Sequence, residues 1–318
     1  MKQYHYYVGG IVLVIALCLF YSCMHEKAQQ DQADKTDWIE FNPEMAGIGH
    51  NKCLDIFYQK LHQLKLEKTR NNPSESLKYE QEELEDTMVE SLVECLQGME
   101  MEAGTKDETI RELNEIINYY DTNPNEEIEA PEWSEKAREL TDRLQTIIDT
   151  DYLDATSAIN DILVVENHAK QSLSESECNT ILMCTAIMRH SMEYWHENFT
   201  GWPLSPTRSG GKWKDVVTAD CDWALRAVGF GATFPGARYG VLKWVMRGLR
   251  VASWQAQLLL LTSVAAIGSI AEATVEETEN EDIETEVYDD MELGLCYTVA
   301  EKAIRIYTAE ASGQERGE

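Results

Sequence analysis

The stretch from Val251 to Ala271 reads VASWQAQLLLLTSVAAIGSIA and is largely apolar, with interruptions at Gln255 and Gln257. A helix that is apolar on all sides must be buried either in protein or in lipid. The length of this stretch matches a membrane span, but the two glutamines disfavour contact with lipid. Amphipathic helices earlier in the chain offer apolar faces that can cover it. We therefore expect a buried central helix, with a membrane span as the alternative.

Helical periodicity dominates the chain before this stretch, because apolar residues recur there at steps of three and four. Ser174 and Glu177 have the spacing of a capping box, in which a hydroxyl and a carboxylate satisfy reciprocal backbone donors, and so do Thr105 and Glu108. Pro131 is expected to begin a further helix at a first-turn position. The helix after Ser174 has the best-defined inward face, formed by Ile181, Cys184, Thr185, Met188, Met192 and Trp195. Since the sequence shows no alternating strand pattern, the predicted fold is all-α, an irregular multi-helix domain around a central apolar helix.

The first residues of the chain, MKQYHYYVGGIVLVIALCLFYSC, have the pattern of a secretory signal. Lys2 precedes an apolar run from Val8 to Phe20, and the small residue Ser22 stands directly before Cys23. A polar tract follows. An uncleaved transmembrane anchor from about Tyr4 to Met24 is the alternative. Under either interpretation, we expect the rest of the chain to be exported and tethered to a membrane.

The Ser22-Cys23 pair at the end of this run resembles the lipobox of bacterial lipoproteins, with Tyr21 where alanine or serine is usual. In that family the cysteine is diacylated and becomes the first residue of the mature protein. The resemblance therefore implies lipid attachment at Cys23. It also implies a location in the bacterial cell envelope, on the outer membrane or at the periplasmic face.

The segment Gly47-x-x-His50-Asn51-x-x-Leu54-Asp55 resembles a short pattern in uncharacterised helical lipoproteins of Gram-negative bacteria. Those proteins also carry an Ala-Asp pair followed by small residues near the C-terminus. The pair Ala219-Asp220 is similar to it, with Trp223 at a position where that family has glycine. The resemblance implies a shared fold and no known activity.

The same segment contains a candidate polar cluster. Asn51 and Asp55 lie one helical turn apart, and His50 is adjacent to Asn51. The glycines from Gly229 to Gly240 are expected to turn the chain and to let Asp220 approach the beginning of this helix. Buried polar groups are normally hydrogen-bonded. We therefore predict a structural role for the cluster, with hydrogen bonds to helix-end donors or to a neighbouring loop and no ligand.

A second cluster has the residue types of a metal site. His190, Glu193 and Glu197 share one helix face at steps of three and four, which can present nitrogen and oxygen ligands. His196 is six residues from His190, and this spacing turns the two imidazoles about 120° apart around the helix. Because that spread does not suit one compact tetrahedral site, we expect an exposed face with local ion pairs, and we predict no metal and no cofactor.

The charge and the cysteines limit the classes of partner. A net charge of −30 repels phosphate, which argues against a nucleic-acid partner, and also opposes adsorption to anionic lipid. The acidic run from Glu272 to Glu292 lacks the sharply turned loop of a calcium cage and is predicted to be a solvated loop. The cysteines after the signal show no C-x-x-C spacing, so the zinc and thioredoxin-type motifs are absent. We expect most of these cysteines to be buried, with room for one disulfide bridge.

These features divide the chain into segments. They are a signal (1–23), a tether (24–43), an amphipathic helical region (44–201), a linker (202–211), a Gly/Ala/Trp-rich apolar helical region (212–271), an acidic loop (272–292) and a C-terminal helix (293–311). This organisation favours a non-enzymatic envelope lipoprotein, tethered through its N-terminal lipid, that binds or scaffolds an unidentified protein or small-molecule partner. The alternative is a membrane-active protein of the pore-forming or toxin-immunity type, whose residues 219–273 insert in a bilayer. No catalytic motif stands out, so an enzyme ranks third.

Overall fold

A computed structural model describes residues 41–71, 81–99, 101, 103–123, 133–150, 152, 154–202, 213–228, 252–274 and 285–311. Within these ranges the regular structure is helical and no strand is present, so the predicted all-α class is confirmed. The predicted signal, Cys23, the tether up to residue 40 and the glycine-rich turn at 229–240 lie outside the described residues.

Nine α-helices follow one another along the described part of the chain. They are α1 (Glu44–Asn71), α2 (Gln81–Gln97), α3 (Ala103–Thr122), α4 (Glu135–Asp149), α5 (Ala155–Ser172), α6 (Glu175–Asn198), α7 (Trp213–Ala227), α8 (Trp254–Thr274) and α9 (Thr285–Ala311). A short 3-10 turn, Phe199–Gly201, follows α6.

Four of these helices form the inner group of the domain. Helices α6 and α8 contact each other, and each of them also contacts both α1 and α7. On one side, α9 packs against α2, α3 and α8, while α2 also contacts α1. On the other side, α5 packs against α6, and α4 bridges α5 and α7. The inner group therefore brings together residues that are far apart in the sequence.

Helix α8 contains most of the apolar stretch, and every residue from Leu258 to Ile270 is buried. The polar side chains between Leu258 and Ile270 bond within the helix or to α1. The hydroxyl of Ser263 donates to the Leu259 carbonyl at 2.6 Å, and that of Thr262 donates to the Ala46 carbonyl at 3.5 Å. No helix in the described ranges is long and apolar enough to cross a membrane.

Two glycines allow the inner helices to approach closely. A Cβ atom on Gly47 would lie 2.6 Å from the Ala186 carbonyl oxygen, so α1 and α6 meet backbone to backbone there. A Cβ atom on Gly268 of α8 would lie 2.3 Å from Cγ of Trp223, so the indole of α7 occupies the space of the missing side chain. These contacts fix the distances from α6 to α1 and from α7 to α8.

A disulfide joins α1 to α2. Cys53 and Cys95 are both buried and bonded to each other, with their Cα atoms 5.3 Å apart. Of the other cysteines that the structure describes, Cys184 and Cys221 are buried thiols and Cys178 is half-buried. The expectation of buried cysteines with one bridge is confirmed for this part of the chain.

The predicted helix beginnings are partly correct. The capping box of Ser174 and Glu177 is present at the beginning of α6. The box predicted at Thr105 is wrong, because α3 already begins at Ala103 and the Thr105 carbonyl accepts a hydrogen bond from within the helix. Helix α4 begins four residues after the predicted Pro131, because Ser134 caps it by accepting from the Ala137 amide at 3.1 Å.

The acidic loop predicted over residues 272–292 is wrong at both ends. Helix α8 extends to Thr274, and α9 begins at Thr285. Glutamate has good helix propensity, and acidic side chains in the first turns interact favourably with the helix dipole. The run that we interpreted as solvated loop therefore also supplies the beginning of α9.

Trp202, placed at the start of the predicted linker, belongs to the folded region instead. Its side chain is buried, and its ring centroid lies 4.6 Å from that of Trp195, 5.8 Å from that of Tyr58 and 6.1 Å from that of Phe57. Aromatic packing of this kind stabilises well beyond the buried area alone. The chain that leaves α6 is thus anchored to α1 before residue 203.

Candidate functional site

The most polar part of the interior lies where the four inner helices meet. We call it the inner junction, and its members are His50 of α1, Ser191 and Trp195 of α6, Asp220 of α7 and Ser269 of α8. Each of these five side chains belongs to a residue with 0% exposure. Such a set must satisfy its hydrogen bonds internally, because water does not reach it.

His50 is held on both ring nitrogens. Its Nδ1 lies 3.0 Å from Oδ1 of Asn51, and the Asn51 amide group itself donates to the His190 carbonyl at 3.0 Å. That second bond fixes which end of the amide faces the imidazole, so Nδ1 must carry a proton and donate to Oδ1. On the other side, Nε2 lies 2.9 Å from Oγ of Ser269 and 3.6 Å from Oδ2 of Asp220.

Asp220 is held mainly by α6. Its Oδ2 accepts hydrogen bonds from the Ser191 hydroxyl and, at 2.7 Å, from Nε1–H of Trp195. Ser191 and Trp195 are one helical turn apart, so one face of α6 supplies both donors. The carboxyl group therefore links α6 and α7 and faces the imidazole of α1.

Burial controls the charge of His50. Removal from water lowers the pKa of His50 to about 4, and the nearby His190 acts in the same direction, although the hydrogen bond with Asn51 opposes this. The imidazole is therefore neutral near pH 7. With its one proton on Nδ1, it presents a bare Nε2 to Oγ of Ser269, whose single hydroxyl hydrogen can bond either to Nε2 or to the Ala265 carbonyl.

The structure brings together three of the four residues of the predicted polar cluster. His50 and Asp220 face each other directly, and Asn51 bonds to His50. Asp55 lies apart, because it is exposed and accepts a hydrogen bond from the Tyr194 hydroxyl at 3.0 Å. Asn51 and Asp55 lie along the edge of α1 that faces α6, whereas His50 points into the core.

Sequence reasoning missed three members of the inner junction. Trp195 was expected only as part of an apolar face, and neither Ser191 nor Ser269 was singled out. The four-residue step from Ser191 to Trp195 is a weak signal that both share one helix face. Ser269 carries no local signal, because serine within an apolar helix commonly bonds to its own backbone, as Ser269 does to the Ala265 carbonyl at 2.9 Å.

Charged residues surround the outer edge of the junction. Arg189 bonds both to Glu44 of α1 and, at 2.9 Å, to the buried Glu166 of α5. Burial alone would raise the pKa of Glu44, but its hydrogen bonds with His190 and Arg189 outweigh that effect and hold it at about 2. These groups connect α1, α5 and α6 beside the buried histidine.

The predicted metal-like cluster is divided between this edge and the solvent. His190 is half-buried, and its Nε2 lies 3.0 Å from Glu44, so the prediction of only local ion pairs is wrong for this residue. Its partner belongs to α1, which sequence spacing within α6 cannot reveal. Glu193, His196 and Glu197 are exposed. Among the residues that the structure describes, no group of three or more histidine, cysteine or acidic side chains has the arrangement of a metal site.

The order Ser269, His50, Asn51 has the hydrogen-bond pattern of a nucleophile, a base and an orienting amide. A substrate cannot reach it, because all sides of Ser269 are covered and the residue lies within a buried helix. A cavity of 40 Å³ lies near Tyr152 and Lys214, and an open groove of 470 Å³ follows α3 to Ala311. Neither is lined by a member of the inner junction. The arrangement links the four inner helices through their side chains.

Comparison with known proteins adds no relative: no family model, no curated protein and no solved structure matches this chain.

Proposed function

We propose that this protein is a membrane-tethered, non-enzymatic lipoprotein of the bacterial cell envelope, whose helical domain binds or scaffolds a partner. The observation that carries the exported location is the buried disulfide between Cys53 and Cys95. Disulfides persist in oxidising compartments such as the periplasm and are rare in the cytosol. The signal-like start and the lipobox-like Ser22-Cys23 pair provide the means of export and attachment.

The inner junction supports a binding module rather than an enzyme. A catalytic group must touch its substrate, whereas His50, Asp220 and Ser269 have no exposed surface. Polar groups that join four helices instead favour one arrangement of those helices over others. A rigid domain of this kind presents a fixed outer surface, which is what a scaffold requires.

The packing of α7 and α8 supports this proposal over insertion of residues 219–273 in a bilayer. Leu258 to Ile270 are buried against protein on all sides, and Trp223 packs on Gly268. A chain that begins at Gln29 should therefore be soluble without detergent. If that chain requires detergent, the membrane-active alternative is the better account.

Replacement of Cys23 tests the tether, and Cys18 provides a matched control within the apolar run. In a Gram-negative host fed with labelled palmitate, the unchanged protein and Cys18→Ala should both be shortened and labelled. Cys23→Ala should be unlabelled and remain at full length, because the thiol that would accept the lipid is missing. If the unchanged protein is itself unlabelled and unshortened, the uncleaved-anchor alternative is correct.

A further inference from the structure

Helix α5 packs against α4 and α6 and leaves one whole face exposed. The centre of this face consists of Asn160, Leu163, Val164 and Asn167, which follow one another at steps of three and four. We call these four residues the α5 face. Leu163 is 38% exposed and Val164 is 40% exposed, and they are two of the three exposed large apolar side chains in the part of the chain that the structure describes. The α5 face is therefore uncharged, with an apolar centre.

The α5 face differs in charge from the surfaces of the neighbouring helices. Helices α1 to α4 and α6 all expose acidic side chains, whereas no residue within α5 does. Both acidic residues of α5 are engaged, because Asp161 accepts from a tyrosine hydroxyl at 2.6 Å and the buried Glu166 accepts from Arg189 at 2.9 Å. The exposed Asp154 lies before the helix and caps its first turn. An anionic surface can therefore approach the α5 face without meeting a carboxylate on it.

Basic groups border the α5 face. His168 and Lys170 are exposed and lie about 160° apart around the helix, so one of them stands on each side of the face. On the side of His168, Nη1 of Arg143 in α4 lies 3.5 Å from the imidazole Nδ1. Glu139 of α4 also acts on His168, but it forms an ion pair with Lys136 at 2.6 Å. Cationic side chains beside an uncharged face favour contact with anionic lipid headgroups.

We propose that the α5 face is the surface by which the tethered domain contacts the membrane, with phospholipid headgroups as its occupant. The net charge of −30 opposes adsorption to anionic lipid, so such a contact needs a face without carboxylates. Leu163 and Val164 then lie against the headgroup region, and Lys170 and Arg143 lie near lipid phosphates. The inference rests on the proposed tether, since a chain without a membrane attachment would have no bilayer beside it.

The position of α5 close to the beginning of the fold agrees with this contact. The guanidinium of Arg189 bonds both to Glu44, the first residue of α1, and to Glu166 of α5. The proposed tether ends at residue 43, directly before Glu44. The chain that comes from the lipid therefore enters the fold one arginine side chain away from α5.

The size of the α5 face favours a membrane over a second copy of the chain or a freely diffusing protein. Helix α5 has 18 residues, so its exposed face is about 27 Å long and about 10 Å wide. The resulting area of about 270 Å² is well below the roughly 800 Å² that each partner buries in a specific protein interface. A tether makes contact with the bilayer intramolecular, so a small and weak face is sufficient.

Photochemical crosslinking of the full chain to lipid tests the proposal. The chain carries benzoylphenylalanine in place of Val164, is purified with detergent from a Gram-negative host, and is reconstituted in vesicles of phosphatidylcholine and radiolabelled phosphatidylglycerol. Irradiation should attach labelled lipid to it. The matched control carries the same probe in place of Asn118, an exposed and uncharged residue of α3 on the opposite side of the domain, and should show no lipid adduct. Leu163→Glu, combined with the probe at position 164, places a carboxylate in the α5 face and should abolish the adduct.

The probe in place of Asn160, which is also exposed, replaces the one at position 164 if that variant does not fold. Absence of lipid label at the α5 face, or equal label there and at position 118, overturns the proposal. An adduct with a second protein chain also overturns it. The intact mass of the same preparation reports the tether separately: a lipidated Cys23 without label at position 164 refutes only the α5 face. An unmodified Cys23 refutes the lipid tether, and label at position 164 in that chain still supports the α5 face, because an uncleaved anchor also holds the domain at the bilayer.

Discussion

Replacement of Gly268 by alanine tests whether close contact between α7 and α8 positions the inner junction. The new Cβ would lie 2.3 Å from Trp223 Cγ and 2.4 Å from Cδ1, whereas ordinary contact begins at 3.4 Å. Because these atoms belong to a buried indole and lie near the tryptophan backbone, either the ring or the two helices must shift by about 1 Å, the difference between those distances. Overpacking of this kind costs about 1–3 kcal/mol, while the gain in helix propensity offsets at most about 1 kcal/mol. We expect a net loss of about 1–2 kcal/mol.

Urea unfolding followed by far-ultraviolet circular dichroism measures this loss. Gly104→Ala in α3 is the matched control, because nothing lies within 4 Å of the added Cβ. It should stabilise the protein by up to about 1 kcal/mol, so the two variants differ in sign. Trp223→Leu should remove most of the extra cost of Gly268→Ala when the two changes are combined, as a double-mutant cycle reveals. Equal stabilisation by both alanine substitutions would refute the close-contact argument.

Three further predictions concern other parts of the fold. Glu44 has a folded pKa of about 2 against an ordinary value of 4.5, so its contribution to stability is present above pH 4.5 and is lost as pH falls towards 2. Because 39% of its side chain is exposed, we expect a contribution of about 1 kcal/mol after solvent screening, measured as the difference in unfolding free energy between the unchanged protein and Glu44→Gln. A difference that stays constant down to pH 2 would disprove this prediction. The combined change Cys53→Ala and Cys95→Ala removes a covalent link between residues 42 apart in sequence. The free energy of unfolding, measured with urea, should fall by up to about 4 kcal/mol. An unchanged urea midpoint would show that the bridge does not stabilise the domain. Leu260→Asp places an unpaired carboxylate in a fully buried position and should unfold the whole domain. The cost of several kcal/mol is comparable with a total stability of about 5–15 kcal/mol. If limited proteolysis finds that the helices before residue 200 are still resistant, the membrane-span alternative is favoured.

Local sequence patterns predicted the helices because the signals of a helix lie within the helix. All six residues predicted on the inward face of α6, from Ile181 to Trp195, are buried. The capping box at Ser174 is also local, and it is present. The box at Thr105 failed because a pattern of two residues does not fix where a helix begins when the preceding residues also favour helix.

The candidate site was only partly predictable because its partners are distant in sequence. His50 and Ser269 are 219 residues apart, and His190 and Glu44 are 146 apart. Which polar side chains meet depends on how the helices are ordered in space, and periodicity does not contain that information. The expectation that Asp220 approaches the beginning of the His50 helix agrees with the structure, but no sequence pattern indicated Ser191 or Ser269.

The chemical state of the mature N-terminus tests the proposed tether most directly. The protein, purified with detergent from membranes of a Gram-negative host, can be analysed by intact mass and by the mass of its first peptide. Our account predicts a chain that begins at Cys23 and carries a diacylglyceryl group on that residue. A chain that still begins at Met1, with an unmodified Cys23, would contradict it.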